Sequence, residues 1–181
     1  MADARSQLET NFWGSVRVVH AALPSMRGRR RGRIVLVSSI GGVVALPFQS
    51  FYSASKFALE GWAEALAWEV APFGIDVTLV QPGNIRTDFT DSRRTVGLDA
   101  GNGVGALYRD AANGAIDTMA ADERSGVAPA RVARTVVKVL GSRHPPRRVS
   151  VGRPSERIGV LAKRVLPARA FDAAARTSLG L

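Results

Sequence analysis

The chain has 181 residues, 46% hydrophobic and 7% aromatic, with no cysteine and a formal net charge of +10. That length fits one domain with its own core, and the lack of cysteine excludes a disulfide framework and thiolate chemistry. No apolar run reaches the roughly 20 residues that span a bilayer. Residues 1–6 show no secretory pattern, and His20 and His144 alone make no histidine metal site, so a cytoplasmic protein is expected.

In chain order, Leu8, Phe12, Ser15, Val19, Ala22 and Leu23 recur at three and four and predict a helix over 4–26, punctuated by Pro24 and Gly28. Arg27, Arg29, Arg30, Arg31 and Arg33 form a basic run. The run has no interleaved aromatics and no nucleic-acid motif, so it reads as a solvated helix-to-strand loop and no nucleic-acid partner is expected. Residues 33–38 predict a strand, apolar on both faces as in the centre of a parallel sheet. A Gly41-Gly42 loop and the apolar segment Val43-Val44-Ala45-Leu46-Pro47-Phe48 follow. An alanine-rich helix is predicted over 52–71, ending before Pro72 and Gly74, and a strand over 75–80, closed by Pro82-Gly83. Strand, long helix and strand form a βαβ unit, which makes the two strands parallel.

From Asn84 to Gly126 the pattern dissolves into polar and glycine-rich sequence, with a helical stretch near 103–121. A segment this long in a compact domain reads as a functional loop or lid, here 84–126. Residues 129–141 predict a third helix, with Pro129 in its first turn, and 148–151 a third strand. Residues 155–177 predict a basic, amphipathic terminal helix broken near Pro167. No internal repeat or linker divides the chain, so 1–181 reads as a single domain.

The chemistry concentrates in one spacing. Ser39 ends the strand at 33–38, Tyr52 follows thirteen positions later, and Lys56 lies four beyond Tyr52. On a helix, Tyr52 and Lys56 share a face. A free tyrosine has a pKa of roughly 10, and a neighbouring ammonium favours its phenolate. With a hydroxyl brought in from the strand end, the three groups can move a proton on or off a carbonyl or alcohol oxygen.

Four segments, in order, resemble the short-chain dehydrogenase/reductase family. Glu9-Thr10-Asn11-Phe12-Trp13-Gly14 resembles its asparagine helix, and Val37-Ser38-Ser39-Ile40-Gly41-Gly42 its serine strand end. Tyr52-Ser53-Ala54-Ser55-Lys56-Phe57-Ala58-Leu59 resembles its catalytic helix, and Gln81-Pro82-Gly83-Asn84-Ile85-Arg86-Thr87 its turn against the nicotinamide. The resemblance implies a truncated, Rossmann-like doubly wound α/β parallel sheet of about three strands with flanking helices. It implies an oxidoreductase using NAD or NADP on an alcohol or ketone. Tyr52 would be the proton donor or acceptor, Lys56 would lower its pKa and hold the ribose hydroxyls, and Ser39 would bond the reacting oxygen, with Ser38 its neighbouring alternative. Asn11 would fix a water in a proton relay behind Lys56. Pro82, Gly83, Ile85 and Thr87 would line the nicotinamide end.

The family's glycine-rich pyrophosphate turn is not matched. Gly101-Asn102-Gly103-Val104-Gly105 follows no predicted strand and reads as flexible lid sequence. By resemblance the chain begins inside the family's fourth helix, and the exposed edge near 34–37 is expected to meet an upstream half. Two alternatives stand beside the oxidoreductase. One is a non-catalytic remnant or dimerisation module. The other is an anion-surface binder using the arginine run and Arg157, Lys163, Arg164 and Arg169. The resemblance further implies a homo-oligomer through the first two helices. The apolar loop at 43–48 suggests a lipophilic substrate, and the basic terminal helix suggests at most a weak membrane-surface contact.

Overall fold

The computed structural model describes residues 1–93 and 104–178. They form two compact units: Met1–Gly83 with Ala130–Val151, and Asn84–Pro129 with Gly152–Leu181.

The first unit is built on a three-stranded parallel sheet, β1 (Gly32–Val37), β2 (Ile75–Pro82) and β3 (Arg148–Val151), in that spatial order. Gly32 pairs with Ile75 and Val37 with Val80, while Leu79 to Pro82 pair with Arg148 to Val151. The helix α3 (Ser50–Val70) makes the crossover from β1 to β2. Leu59, Ala63, Leu66, Ala67 and Val70 recur at three and four along it and are all buried. They meet Ile34, Leu36, Ile75, Val77 and Leu79 of the sheet and Val19 and Leu23 of the first helical segment in one core. Burying each of the larger side chains contributes about 1.5–3 kcal/mol, the chief drive for docking α3 on the sheet.

That first segment differs from the uniform helix predicted over 4–26. It consists of α1 (Ala2–Leu8), a π-helical turn at Glu9–Trp13 and α2 (Gly14–Gly28). Pro24 lies inside α2 without ending it. Its missing N–H removes one i→i−4 bond, yet the helix runs on to Gly28. Helix α3 starts two residues earlier than predicted, at Ser50. The apolar strand expected at the centre of a sheet is the outer strand of these three, with Ile34 and Leu36 buried and Val37 exposed.

In the second unit, α4 (Val104–Arg124) buries Ala112, Ala115, Met119 and Ala120 at helical spacing. Ile85 and Val127 form an isolated parallel bridge. The terminal segment comprises two helices, α6 (Pro154–Val165) and α7 (Ala168–Ser178), interrupted where the sequence places Pro167. The remaining helix, α5 (Pro129–Gly141), covers the predicted third helix and leads into β3. Arg33 of β1 caps it, donating through one guanidinium nitrogen to the carbonyls of Val139 and Leu140. A cation at a helix C-terminus also complements the helix dipole.

Candidate active site

The candidate residues of the first unit gather near the C-terminal ends of β1 and β2. Past β1, Ser38 N–H still donates to Val80 O at 2.8 Å, so the strand direction carries directly into Ser39. Ser39 has extended backbone and caps a 3-10 turn at Ile40–Gly42, its Oγ accepting from Gly41 N–H at 3.0 Å. The same Oγ lies 3.4 Å from Pro82 O, long for a hydroxyl bond but enough to place the side chain against the end of β2.

Two glycines let this turn close on α3. A Cβ built on Gly41 would stand 3.1 Å from the Tyr52 ring and 3.4 Å from Ser39 Oγ. The serine hydroxyl and the tyrosine ring therefore face the same small space. A Cβ on Gly42 would meet Ser38 Oγ at 2.9 Å, Lys56 O at 3.0 Å and Glu60 Cγ at 3.1 Å. Ser38 points the other way: its Oγ is buried and has no hydrogen-bond partner among the described residues.

Tyr52 and Lys56 lie one turn apart at the start of α3, with Lys56 Nζ 5.9 Å from the centroid of the tyrosine ring. Nζ donates to Val37 O at the end of β1, at 3.1 Å. Burial holds the Lys56 ammonium below the ordinary lysine range, and the negative charge of Glu60 opposes that fall. A neutral lysine would give a neighbouring tyrosine no electrostatic help.

Asn11 lies in the π-helical turn of the first segment, a distortion often found at functional positions. Its Nδ2 donates to Ser55 Oγ at 3.0 Å, and Ser55 Oγ donates to Tyr52 O at 2.7 Å. The structure thus brings Asn11, Ser39, Tyr52 and Lys56 together around the first turns of α3. Pro82 ends β2 opposite Val151, and Gly83 N–H donates to Val151 O at 2.8 Å. Ile85 and Thr87 belong to the second unit, where Ile85 bridges Val127 and Thr87 Oγ1 accepts from Phe89 N–H at 3.3 Å. Of the glycine cluster, Gly101–Gly103 lie outside the described residues, and Val104 and Gly105 open α4.

Sequence reasoning missed Ser55, Glu60, Gln81 and Arg148. Glu60 is buried, and its carboxylate accepts from Gln81 Nε2 at 3.0 Å and from Arg148 Nε at 2.9 Å. Gln81 in turn accepts from Ser150 Oγ at 2.9 Å. The one available signal was Glu60 at i+4 from Lys56, next to the apolar Leu59.

A βαβ sheet whose polar residues gather at the strand ends is an α/β architecture of the dinucleotide-binding kind. Comparison with known proteins narrows it. The family model of the short chain dehydrogenases matches residues 1–96. The 3-ketodihydrosphingosine reductase of Bacteroides thetaiotaomicron is 46% identical over 146 residues, covering 81% of this chain and 53% of that protein. A solved short-chain dehydrogenase from Streptomyces avermitilis is 29% identical, with a TM-score of 0.71 over 99% of this chain and 62% of that one. One from Burkholderia cenocepacia J2315, solved in complex with NADP, is 22% identical, with a TM-score of 0.67 over 97% of this chain and 58% of its own; at that identity the likeness is one of fold. The chain belongs to the short-chain dehydrogenase family. It spans about half the length of the curated relatives it matches.

Proposed function

We propose that this protein is an NAD(P)-dependent oxidoreductase that interconverts an alcohol and a carbonyl. The observation that carries the reading is the closure of the Ser39 turn on α3, which faces Ser39 Oγ and the Tyr52 ring into one space beside the Lys56 ammonium. A bound nicotinamide would exchange a hydride with the substrate carbon. The residues fit the nicotinamide-ribose end of such a cofactor. Lys56 and Tyr52 offer donors at the C-terminal ends of parallel strands, where ligands of this fold bind, and Pro82 and Gly83 end β2 beside them. Ile85 and Thr87 are assigned to the same cofactor by the family resemblance.

The roles follow from the chemistry of the side chains. The Tyr52 hydroxyl gives a proton to the substrate oxygen during reduction and takes one during oxidation. The ammonium of Lys56 favours the phenolate that results. Ser39 Oγ holds the reacting oxygen. Asn11, through Ser55, fixes the first turn of α3, and the family resemblance gives it the water of a proton relay behind Lys56. A lipophilic ketone is the favoured substrate class, supported by the apolar loop at 43–48 and by the relative named for 3-ketodihydrosphingosine. Exposed Trp13 and Val18 on the first helical segment, and Phe51, Phe57 and Trp68 on α3, support a homo-oligomer.

The test is reduction of a panel of long-chain and cyclic ketones by the full-length gene product with NADH or NADPH. Tyr52→Phe is expected to lower kcat by about 10²- to 10⁴-fold, the usual span of general acid–base assistance. A protein that binds the cofactor yet turns over no ketone or alcohol defeats the proposal.

A further inference from the structure

The polar network beneath Lys56 is absorbed by none of the roles above. Glu60 sits one helical turn beyond Lys56 and is 6% exposed. A carboxylate is rarely buried unless it is paired, because leaving water costs several kcal/mol. Here Gln81 holds one oxygen and Arg148 the other. Arg148 is not wholly committed to Glu60, since it also donates to Glu64 at 2.5 Å on the same helix. Burial works against the Arg148 charge, but hydrogen bonds to Glu60 and Glu64 outweigh it and raise its pKa. The network joins α3, β2 and β3, and Ser150 closes it through Gln81.

We propose that Glu60 is a positioning residue for Lys56: an anchored counter-charge that keeps the ammonium available at the reacting end of α3, with Arg148 setting how much of that charge Lys56 experiences. The proposal rests on the oxidoreductase reading for its catalytic meaning; its physical basis is the place of Glu60 one helical turn from Lys56, with both carboxylate oxygens anchored by Gln81 and Arg148. Other charged or titratable groups on the elements around Lys56 have other partners or places. Helix α3 carries Tyr52 against Lys56 and Glu64 against Arg148. Glu9 of the π-helical turn pairs with Arg17, and Arg33 of β1 lies beside Asp76 at the start of β2. Asp3 and Arg5 lie on α1. Glu60, one turn along α3 from Lys56, carries the negative charge that opposes the effect of burial there.

A spectroscopic titration tests this without any assay of turnover. The sequence has three lysines, Lys56, Lys138 and Lys163, so selective ¹³Cε-lysine labelling gives a simple spectrum, with Lys56→Arg assigning the resonance. Carboxylates remain ionised across the alkaline range in which lysines titrate. Glu60→Gln is expected to move the Lys56 midpoint to lower pH, leaving the other two unmoved. Arg148→Gln, which unmasks the carboxylate, is expected to move it to higher pH. A folded Glu60→Gln protein with an unchanged Lys56 midpoint overturns the proposal. Should Glu60→Gln fail to fold, Arg148→Gln decides, and a midpoint that stays or falls overturns it equally. In the full-length enzyme the alkaline limb of the kcat profile should shift with the Lys56 midpoint. Absence of turnover in the unaltered enzyme counts against the oxidoreductase reading, while the lysine titration still judges the role of Glu60.

Discussion

The two units are held together differently. The first joins helix and sheet through a continuous apolar core from Val19 to Leu79, and its polar network of Glu60, Gln81 and Arg148 is fully engaged. The second buries mainly small residues of α4 and relies on arginine–carboxylate fastenings. Glu123 accepts from Arg93 at 2.6 Å and from Thr90 at 2.7 Å. Arg153 reaches Asp122 at 3.0 Å and Ser125 at 2.6 Å, and Glu156 accepts from the backbone of Asn84 and Arg153. Apolar burial is non-directional and tolerates salt, whereas ion pairs weaken with ionic strength and with exposure. A framework that faces Ser39 Oγ and the Tyr52 ring into one space is better made from the former.

The largest test of this contrast is Leu59→Ala. Leu59 is 1% exposed, at the centre of the α3–sheet contact. Truncation should cost about 2–5 kcal/mol, the sum of lost transfer energy and the cavity left behind. Chemical denaturation gives the total, and hydrogen exchange in peptides of β1, α3 and β2 should show where protection is lost. A cost below about 1 kcal/mol in that assay would break the claim that apolar packing carries the first unit. Next comes Glu123→Gln in the second unit. Its side chain is 13% exposed, and the change weakens a charged pair with Arg93 and a bond from Thr90. A loss of about 1–3 kcal/mol in the local opening of 84–93 and 104–129 is expected, as for hydrogen bonds to charged groups. The loss should shrink as salt is raised, and a salt-independent loss would point to packing instead.

The same contrast explains what the sequence disclosed. β2, α5 and β3 were legible because local signals bound them: Pro82-Gly83 after an apolar run, Pro129 at a helix start, and Arg148–Val151 between loops. The spacing of Ser39, Tyr52 and Lys56 was legible because all three lie in one local step from the end of β1 to the start of α3. The π-helical turn around Asn11 was not, since nothing in Glu9–Trp13 spells a wider turn in a helical stretch. The early start of α3 was hidden because Gln49 makes no side-chain cap. Arg148 and Glu60 stand 88 positions apart, and no local pattern announces such a pair. In the second unit, part of α4 could be read from composition, but its fastenings are again long-range: Glu123 meets Arg93 across 30 positions.

The smallest expected effect separates ion pairs that fasten from ion pairs that merely form. Arg124 lies 3.4 Å from Asp91, beside the Arg93–Glu123 pair in sequence. Both partners of the outer pair are largely exposed, at 66% and 72%, whereas Arg93 and Glu123 are at 16% and 13%. In water the Coulomb gain of an exposed pair is nearly cancelled by the entropy of holding two long side chains in place. Arg124→Ala should therefore change stability by no more than about 0.5 kcal/mol, and alanine's helix propensity at the end of α4 can bring the sum to zero. Measured beside Glu123→Gln in one denaturation series, the two variants should differ several-fold. If Arg124→Ala costs as much as Glu123→Gln, exposure does not rank the fastenings of this unit, and net charge across 84–129 would have to replace individual pairs as the explanation.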